Sequence, residues 1–157
     1  ATVHAIDVGA GVLRYGHARA EELGVAIHFS QQDAEHTSLA DSSVDLIVSH
    51  LLGHETSLAG YRNIMRECYR LLRPGGMMLH TETEWSTEVD PFNQSVLDWE
   101  THFNGEPFKT TLDMLDSPAV AREAGFSADR VFVERAPSQR AGAKYYQGRW
   151  VIFGAIK

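Results

Sequence analysis

The chain has 157 residues, of which 43% are hydrophobic and 22% are charged. This length and balance suit one globular domain with its own core and are too small for two full domains. The formal net charge of −7 disfavours nucleic acid or an anionic membrane as partner, because both would repel the chain. The single cysteine, Cys68, excludes an intrachain disulfide and favours the reducing cytoplasm. No apolar run approaches the roughly 20 residues of a membrane helix, and no signal-peptide pattern opens the sequence.

Short apolar runs separated by polar or helical segments predict a series of strands. The predicted strands are Val3–Ile6, Val25–Phe29, Ser42–His50, Met77–Thr81, Arg130–Arg135 and Arg149–Ile156. The unbroken apolar run Val44–Val48 in the third of them is typical of a strand that is buried in a parallel sheet.

Apolar residues at helical spacing predict four helices between these strands. The helices are expected at about Leu13–Leu23, Tyr61–Leu72, Asn93–Phe103 and Ser117–Ala124. Gly24 and Pro74-Gly75-Gly76 are expected to end the first two, and Asp116 to cap the fourth, with Pro118 in its first turn. Strands that alternate with helices predict an α/β, Rossmann-like doubly wound fold. Its sheet is mostly parallel, with helices on both faces and an antiparallel strand pair at the C-terminus.

The stretch Asp7-Val8-Gly9-Ala10-Gly11 allows two interpretations. In one, it is the glycine-rich loop that cradles a cofactor after the first strand of such a fold. In the other, Asp7 ends the next strand and its carboxylate accepts hydrogen bonds from a ribose. The first interpretation includes a dinucleotide-binding oxidoreductase, which needs a second acidic strand end about 20 residues later. The chain instead continues to Asp33-Ala34-Glu35 and then to Ser43-Val44-Asp45.

Two longer motifs resemble those of a known family. Gln31–Glu55 places Asp-Ala after a strand, then a polar loop, then a strand that begins Ser-x-Asp. Arg66–Gly76 leads a helix into a Leu-x-Pro-Gly-Gly turn. In this order and spacing, they resemble the class I S-adenosylmethionine-dependent methyltransferases from about Val3 to Leu79, and more loosely beyond. The resemblance implies methyl transfer from S-adenosylmethionine to a small molecule, by in-line displacement in a desolvated cleft.

The resemblance places Asp7 at the end of the second strand of the family's fold. Val12–Ala20 matches the helix that follows the ribose-binding strand, and the 26 residues from Asp7 to Asp33 hold only one helix and one strand. The family's sheet order is 3-2-1-4-5-7-6, so the first strand and its glycine loop are expected to lie outside this sequence. An empty middle position would separate the flanking strands by roughly 10 Å, since neighbouring strands lie about 4.8 Å apart. We expect an N-terminal segment, direct pairing of the flanking strands, or a strand from another chain to fill it.

The resemblance implies a cofactor site at the strand ends, as is usual for open α/β sheets. The expected cofactor-binding residues are Asp7, Val8, Gly9, Asp33, Ala34, Ser49 and His50. Asp7 would accept from the ribose hydroxyls, and Asp33 from the adenine amino group while the Ala34 amide donates to the ring. Ser49 and His50 would line the methionine end of the cofactor. Turn-capping roles are the alternative for both aspartates.

Four residues are candidate bases for a hydroxyl or amine nucleophile: His54, His80, Glu82 and His102. Packing or capping of the following helix is the alternative for His54. The His50-x-x-x-His54 spacing suggests a metal pair, but no third ligand follows at a recognisable spacing, so no metal is expected. Cys68 lies on the apolar face of its helix and is expected in the core.

Residues 82–109 are polar and aromatic and are expected to form a substrate or lid region of a single domain over 1–157, with plain packing as the alternative. Tyr145-Tyr146 is expected at the surface or in a dimer contact. A small-molecule substrate and a homodimer are the expected partners. A degenerate, non-catalytic domain that retains the fold for protein contact is the main alternative function.

Overall fold

The computed structural model describes residues 1–84, 91–103, 105, 107–108, 115–137 and 149–157, which divide into two compact units, Ala1–Ala40 and Asp41–Lys157. The first unit contains strand β1 (His4–Asp7), helix α1 (Ala10–Leu23) and strand β2 (His28–Gln31). The elements of the second unit are β3 (Val44–His50), α2 (Leu58–Leu71), β4 (Leu72–Glu84), α3 (Pro91–Phe103), α4 (Ser117–Ala124), β5 (Val131–Pro137) and β6 (Arg149–Ile156), with 3-10 turns at Gly53–Glu55 and Ala128–Arg130.

In the first unit, β1 and β2 form a parallel pair with Asp7 opposite Gln31, and α1 packs against both strands. The helix ends as predicted at Gly24, whose φ of 67° is left-handed and therefore favours glycine. The Val25 amide donates to the Ala20 carbonyl and completes this cap. Consequently β2 begins only at His28, and the predicted strand at Val25–Phe29 is displaced towards the C-terminus.

The second unit contains a four-stranded sheet in the order β3-β4-β6-β5. β3 and β4 are parallel, whereas β6 runs antiparallel to both β4 and β5. The predicted antiparallel strand pair at the C-terminus is thus confirmed. The segment between its strands, including Tyr145-Tyr146, lies outside the described residues.

Helix α2 covers one face of this sheet with the apolar stripe that its spacing predicts. The Ser57 hydroxyl caps the helix by accepting from the Gly60 amide at 3.1 Å. Met65 on α2 and Met78 on β4 are fully buried, and Cys68 lies in the core as expected. Helix α4 packs beside α2 and begins as predicted, with the Asp116 carboxylate accepting from the Ala119 amide.

The sequence prediction for the start of β4 was wrong. A strand was expected at Met77–Thr81 after a Pro-Gly-Gly turn, but β4 starts at Leu72 and includes that turn. Val44 pairs with Leu72 and Leu46 pairs with Met77, so β4 carries an irregular insertion at this point. Gly75 has a φ of 82°, and its amide donates to the Lys157 carbonyl at 2.7 Å, which ties the insertion to the chain end.

The expectation that β3 is buried was also wrong for one of its faces. Leu46 and Val48 are 52% and 66% exposed, whereas Ile47 between them is partly covered. Ile47 is opposite Met78, and Ser49 is opposite His80, on the face that α2 covers. Within the described ranges, no helix of this unit covers the face that carries Leu46 and Val48. An apolar run therefore does not guarantee two covered faces.

The two faces of the sheet should respond differently to substitution. Val48→Thr on the open face should change the free energy of unfolding by less than about 0.5 kcal/mol, as for exposed sites. Met78→Ala under α2 should cost about 2–5 kcal/mol, because it leaves a cavity in the core. Urea unfolding followed by circular dichroism measures both. A loss above about 1.5 kcal/mol for Val48→Thr would show that this face is covered.

Candidate functional site

The turn after β1 fixes the Asp7 carboxylate at the strand end. Asp7 Oδ1 accepts from the Gly9 amide at 2.6 Å, and the Asp7 carbonyl accepts from the Gln32 amide. Asp7 Oδ2 has no hydrogen-bond partner among the described residues. The Val8 side chain is exposed, and its carbonyl accepts from Gln31 Nε2 at 2.8 Å. Asp7 is therefore held in one orientation with one carboxylate oxygen available to a ligand.

Asp33 lies two residues beyond β2, in a second turn of the same unit. Its Oδ1 accepts from the Glu35 amide at 2.8 Å, and its carbonyl accepts from the His36 amide. The Asp33 side chain is exposed, and Ala34 is half-buried. These bonds give Asp33 the turn-stabilising role that the sequence left as the alternative. The second carboxylate oxygen remains for a ligand.

The Asp7 turn fits the ribose of the implied cofactor. A carboxylate accepts hydroxyl hydrogen bonds, which are stronger when one partner is charged. A Cβ atom on Gly9 would lie 3.0 Å from Asp7 Oδ1, so glycine keeps this turn tight. Gly9 is also the N-cap residue of α1, and Ala10 and Gly11 already belong to the helix.

At the end of β3, the Ser49 hydroxyl is bonded to the buried His80 rather than exposed to a ligand. Ser49 Oγ lies 2.6 Å from His80 Nδ1, and Cys68 Sγ lies 4.0 Å from the other ring nitrogen. The Phe153 ring stacks on His80 from the neighbouring strand. Burial lowers the pKa of His80 to about 4, so this ring is neutral near pH 7.

His50 and Leu51 follow Ser49 and turn the chain away from the sheet. His50 is exposed and lies 5.4 Å from the Trp150 ring, centroid to centroid. Leu51 has a φ of 56°, a left-handed conformation that costs a non-glycine residue about 1–2 kcal/mol. The Leu51 amide donates to the Thr81 carbonyl on β4 at 2.9 Å, which helps to hold this turn. The resemblance also placed Leu51 at the methionine end of the cofactor, but the sequence gave no signal of this conformation, which leucine does not favour.

Glu82 on β4 organises the 3-10 turn that follows. Its Oε1 accepts from the Gly53 amide at 2.6 Å, and its Oε2 lies 2.8 Å from His54 Nδ1. His54 Nε2 lies 3.6 Å from Glu55 Oε1 on the outer side. The side chains of His54 and Glu82 are 8% and 14% exposed, whereas that of Glu55 is 54% exposed. We name Glu82, Gly53, His54 and Glu55 the Glu82 cluster.

The structure thus brings together two of the four predicted candidate bases and places His80 apart from them. His54 and Glu82, which are 28 residues apart in sequence, are hydrogen-bonded. His80 lies on the face that α2 covers and is bonded to Ser49. The sequence identified His54 and Glu82 individually but gave no sign of their pairing or of the Gly53 amide. No group of three or more potential metal ligands occurs among the described residues.

Comparison with known proteins shows which proteins the chain is similar to. Residues 1–76 match the family model of a methyltransferase domain. The chain is 31% identical over 97 residues to the ubiquinone/menaquinone biosynthesis C-methyltransferase UbiE of Haemophilus ducreyi, a match of 56% of this chain and 34% of that protein. It is 28% identical over 115 residues to phthiotriol/phenolphthiotriol dimycocerosates methyltransferase 1 of Mycobacterium ulcerans, covering 69% and 38%. The chain thus spans little more than a third of these curated relatives.

The fold matches solved structures across almost the whole chain. A SAM-dependent methyltransferase from Methanosarcina mazei superposes with a TM-score of 0.73 at 15% identity, covering 99% of this chain and 82% of that one. The fold class is therefore the Rossmann-like α/β fold of methyltransferases, as predicted. By the match of residues 1–76 and by its fold, the chain is similar to S-adenosylmethionine-dependent methyltransferases.

The buried His80 should make the protein less stable as the pH falls. The unfolded chain binds a proton at His80 near pH 6.5, whereas the folded chain binds it only near pH 4. Stability from this residue is therefore complete above about pH 6.5 and decreases towards pH 4, by up to about 3 kcal/mol. His80→Gln should remove this dependence and leave the remaining pH dependence unchanged. Urea unfolding from pH 7.5 to 4.5 compares the two proteins, and parallel curves would contradict a buried neutral His80.

Proposed function

We propose that the chain binds S-adenosylmethionine and directs its methyl group to a small-molecule acceptor. The bound cofactor supplies an electrophilic methyl group on a sulfonium sulfur. The Asp7 turn carries this proposal, because it fixes a carboxylate with an available oxygen where the family binds ribose. The protein's contribution is to bind, orient and desolvate the reactants.

We propose the remaining cofactor contacts from the resemblance to the family, residue by residue. We assign the ribose to Asp7, with Val8 and Gly9 in the same turn, and the adenine to Asp33 and Ala34. The methionine end is assigned to the end of β3. There the Ser49 hydroxyl bonds to His80, so the main chain of Ser49 and the exposed His50 are the groups that would contact the ligand.

The strand orders support the assignment of Asp7 to the fold's second strand. β1 and β2 correspond to strands 2 and 3 of the family, and β3-β4-β6-β5 to strands 4-5-7-6. Among the described strands, β3 lies at the end of its sheet, so the backbone groups of its outer edge have no partner strand there. Such an edge favours pairing with another strand. We therefore propose that a strand from outside these 157 residues, with the glycine loop, pairs with β3.

A small-molecule acceptor is supported by the names of the relatives and by the charge of the chain. The relatives named above are methyltransferases of quinone biosynthesis and of dimycocerosates. The net charge of −7 disfavours nucleic acid or an anionic surface as the methyl acceptor, because both would repel the chain. Helix α3, within the proposed lid region 82–109, exposes Phe92, Trp99 and Phe103, which could cover an apolar acceptor.

Location and assembly remain predictions from the sequence. The only cysteine is a buried free thiol, which supports a reducing cytoplasm. No helix of the described part of the chain is long and apolar enough to cross a membrane. The homodimer is tested by sedimentation of the purified chain, where a monomer would contradict it.

Removal of the Asp7 charge tests the cofactor site. Asp7→Asn should weaken binding of S-adenosylhomocysteine by about tenfold or more, because a charge-assisted hydrogen bond is lost. The matched control Glu21→Gln changes an exposed carboxylate on α1 and should leave the affinity unchanged. Isothermal titration calorimetry measures both.

Two results of this titration would contradict the account. Equal affinity of Asp7→Asn and the wild type would overturn the ribose contact. Micromolar binding by the monomeric 157-residue chain would contradict a glycine loop outside it, for which we expect weaker binding. If a folded form that also contains the proposed strand and glycine loop does not bind S-adenosylhomocysteine, the degenerate, non-catalytic domain is favoured.

A further inference from the structure

The hydrogen bonds of the Glu82 cluster define where His54 carries its proton. A carboxylate only accepts hydrogen bonds, so the 2.8 Å contact with Glu82 Oε2 requires the proton on His54 Nδ1. Glu82 Oε1 is already the acceptor for the Gly53 amide at 2.6 Å, which keeps the carboxylate from rotating. In the neutral ring, the lone pair is therefore on Nε2.

Two carboxylates flank the ring of His54. Glu82 Oε2 lies 2.8 Å from Nδ1, and Glu55 Oε1 lies 3.6 Å from Nε2. On the α2 side, the Tyr61 hydroxyl donates to Ser117 Oγ, and burial raises the pKa of Tyr61 to about 12, so this phenol stays neutral.

The exposure of Glu55 distinguishes the two ends of the His54 ring. Nε2 faces the Glu55 carboxylate, whose side chain is 54% exposed, while Nδ1 faces the nearly buried Glu82. The ring therefore has a fixed inner end and an outer end directed to the protein surface. His80 has no such arrangement, since Ser49, Cys68 and Phe153 surround it.

On the basis of the proposed function, we infer that His54 is the general base of the methyl transfer and that Glu82 is its positioning residue. The acceptor is then a nucleophile that carries a proton, such as a hydroxyl, an amine or an acidic carbon. Bound S-adenosylmethionine would supply the methyl group: the acceptor's electron pair would form the bond to the methyl carbon, while the carbon–sulfur bond would break and leave its electrons on sulfur. The proton of the acceptor moves to His54 Nε2, while Nδ1 stays bonded to Glu82.

Nitrogen-15 NMR of the histidine rings tests the proton position without any substrate. The wild-type chain should show His54 protonated at Nδ1 near neutral pH, with its signals assigned by their loss in His54→Asn. In Glu82→Gln, the amide oxygen can keep the Gly53 bond while the NH₂ group donates to Nδ1. That exchange should move the proton to Nε2. His17→Asn, which alters an exposed histidine beside Glu21, should leave the His54 signals unchanged. A wild-type His54 protonated only at Nε2 would overturn the inference.

Methyl transfer then distinguishes a base from a structural residue. Phenols, primary alcohols and primary amines serve as acceptors, with radiolabelled S-adenosylmethionine as donor. For an acceptor that the wild type methylates, His54→Gly should lower kcat by about 100-fold or more. Imidazole in solution should restore part of the rate, and S-adenosylhomocysteine affinity should stay unchanged. A wild-type rate in His54→Gly, or loss without rescue by imidazole, would overturn the role of His54. If a form that also contains the strand and glycine loop proposed above neither binds S-adenosylhomocysteine nor methylates any acceptor, the proposed function itself fails, whatever the NMR result.

Discussion

Packing of α2 against one face of the four-stranded sheet is the constraint on which the second unit depends. Met65 and Met78 are both buried there without solvent contact, and the same face encloses Cys68 and His80. Because this face is dry, His80 stays neutral and the Ser49 hydroxyl turns inward to bond with it. The polar residues available for chemistry are consequently those beyond the strand ends, where β3 turns and β4 continues to Glu82.

Glu82 connects this core to the turn that follows β3. Leu51 adopts a costly left-handed conformation, and two successive residues of β4 hold the chain near it: the Thr81 carbonyl and the Glu82 carboxylate. Strained backbone persists where its surroundings determine it, and such places are frequently functional. In this chain the strain precedes a histidine whose ring orientation is set by the same carboxylate. Structure and proposed chemistry therefore depend on one side chain.

The sequence predicted most helices and strands, because the signals that begin and end them lie within the element or directly beside it. The apolar spacing of α2, the glycine that ends α1 and the Asp116 cap of α4 each depend on residues within one or two turns. Burial of β3 could not be predicted in the same way. The apolar run Val44–Val48 shows that the strand is hydrophobic. Whether each of its faces is covered depends on elements that are distant in sequence. The start of β4 was missed for a similar reason, since Lys157, at the far end of the chain, holds Gly75.

The sequence predicted the residues of the candidate site but not the contacts between them. The family motif indicated Asp7, Asp33 and His54 by position. The pairing of His54 with Glu82 depends on parallel strand register, which no single segment encodes. The hydrogen bonds of the Asp33 turn and the inward orientation of the Ser49 hydroxyl were likewise visible only in the structure. Both change how these residues would contact a ligand, with Ser49 acting through its main chain.

The most direct test of the central claim is amide NMR of the 157-residue chain during titration with millimolar S-adenosylhomocysteine. A methyltransferase cofactor site at the strand ends predicts shift changes at Gly9, whose amide bonds to Asp7, and at residues 33–35. We expect these shift changes to saturate only at ligand concentrations above the micromolar range. Changes confined to other regions, or none at millimolar ligand in a folded chain, would contradict the assignment of these turns to the cofactor.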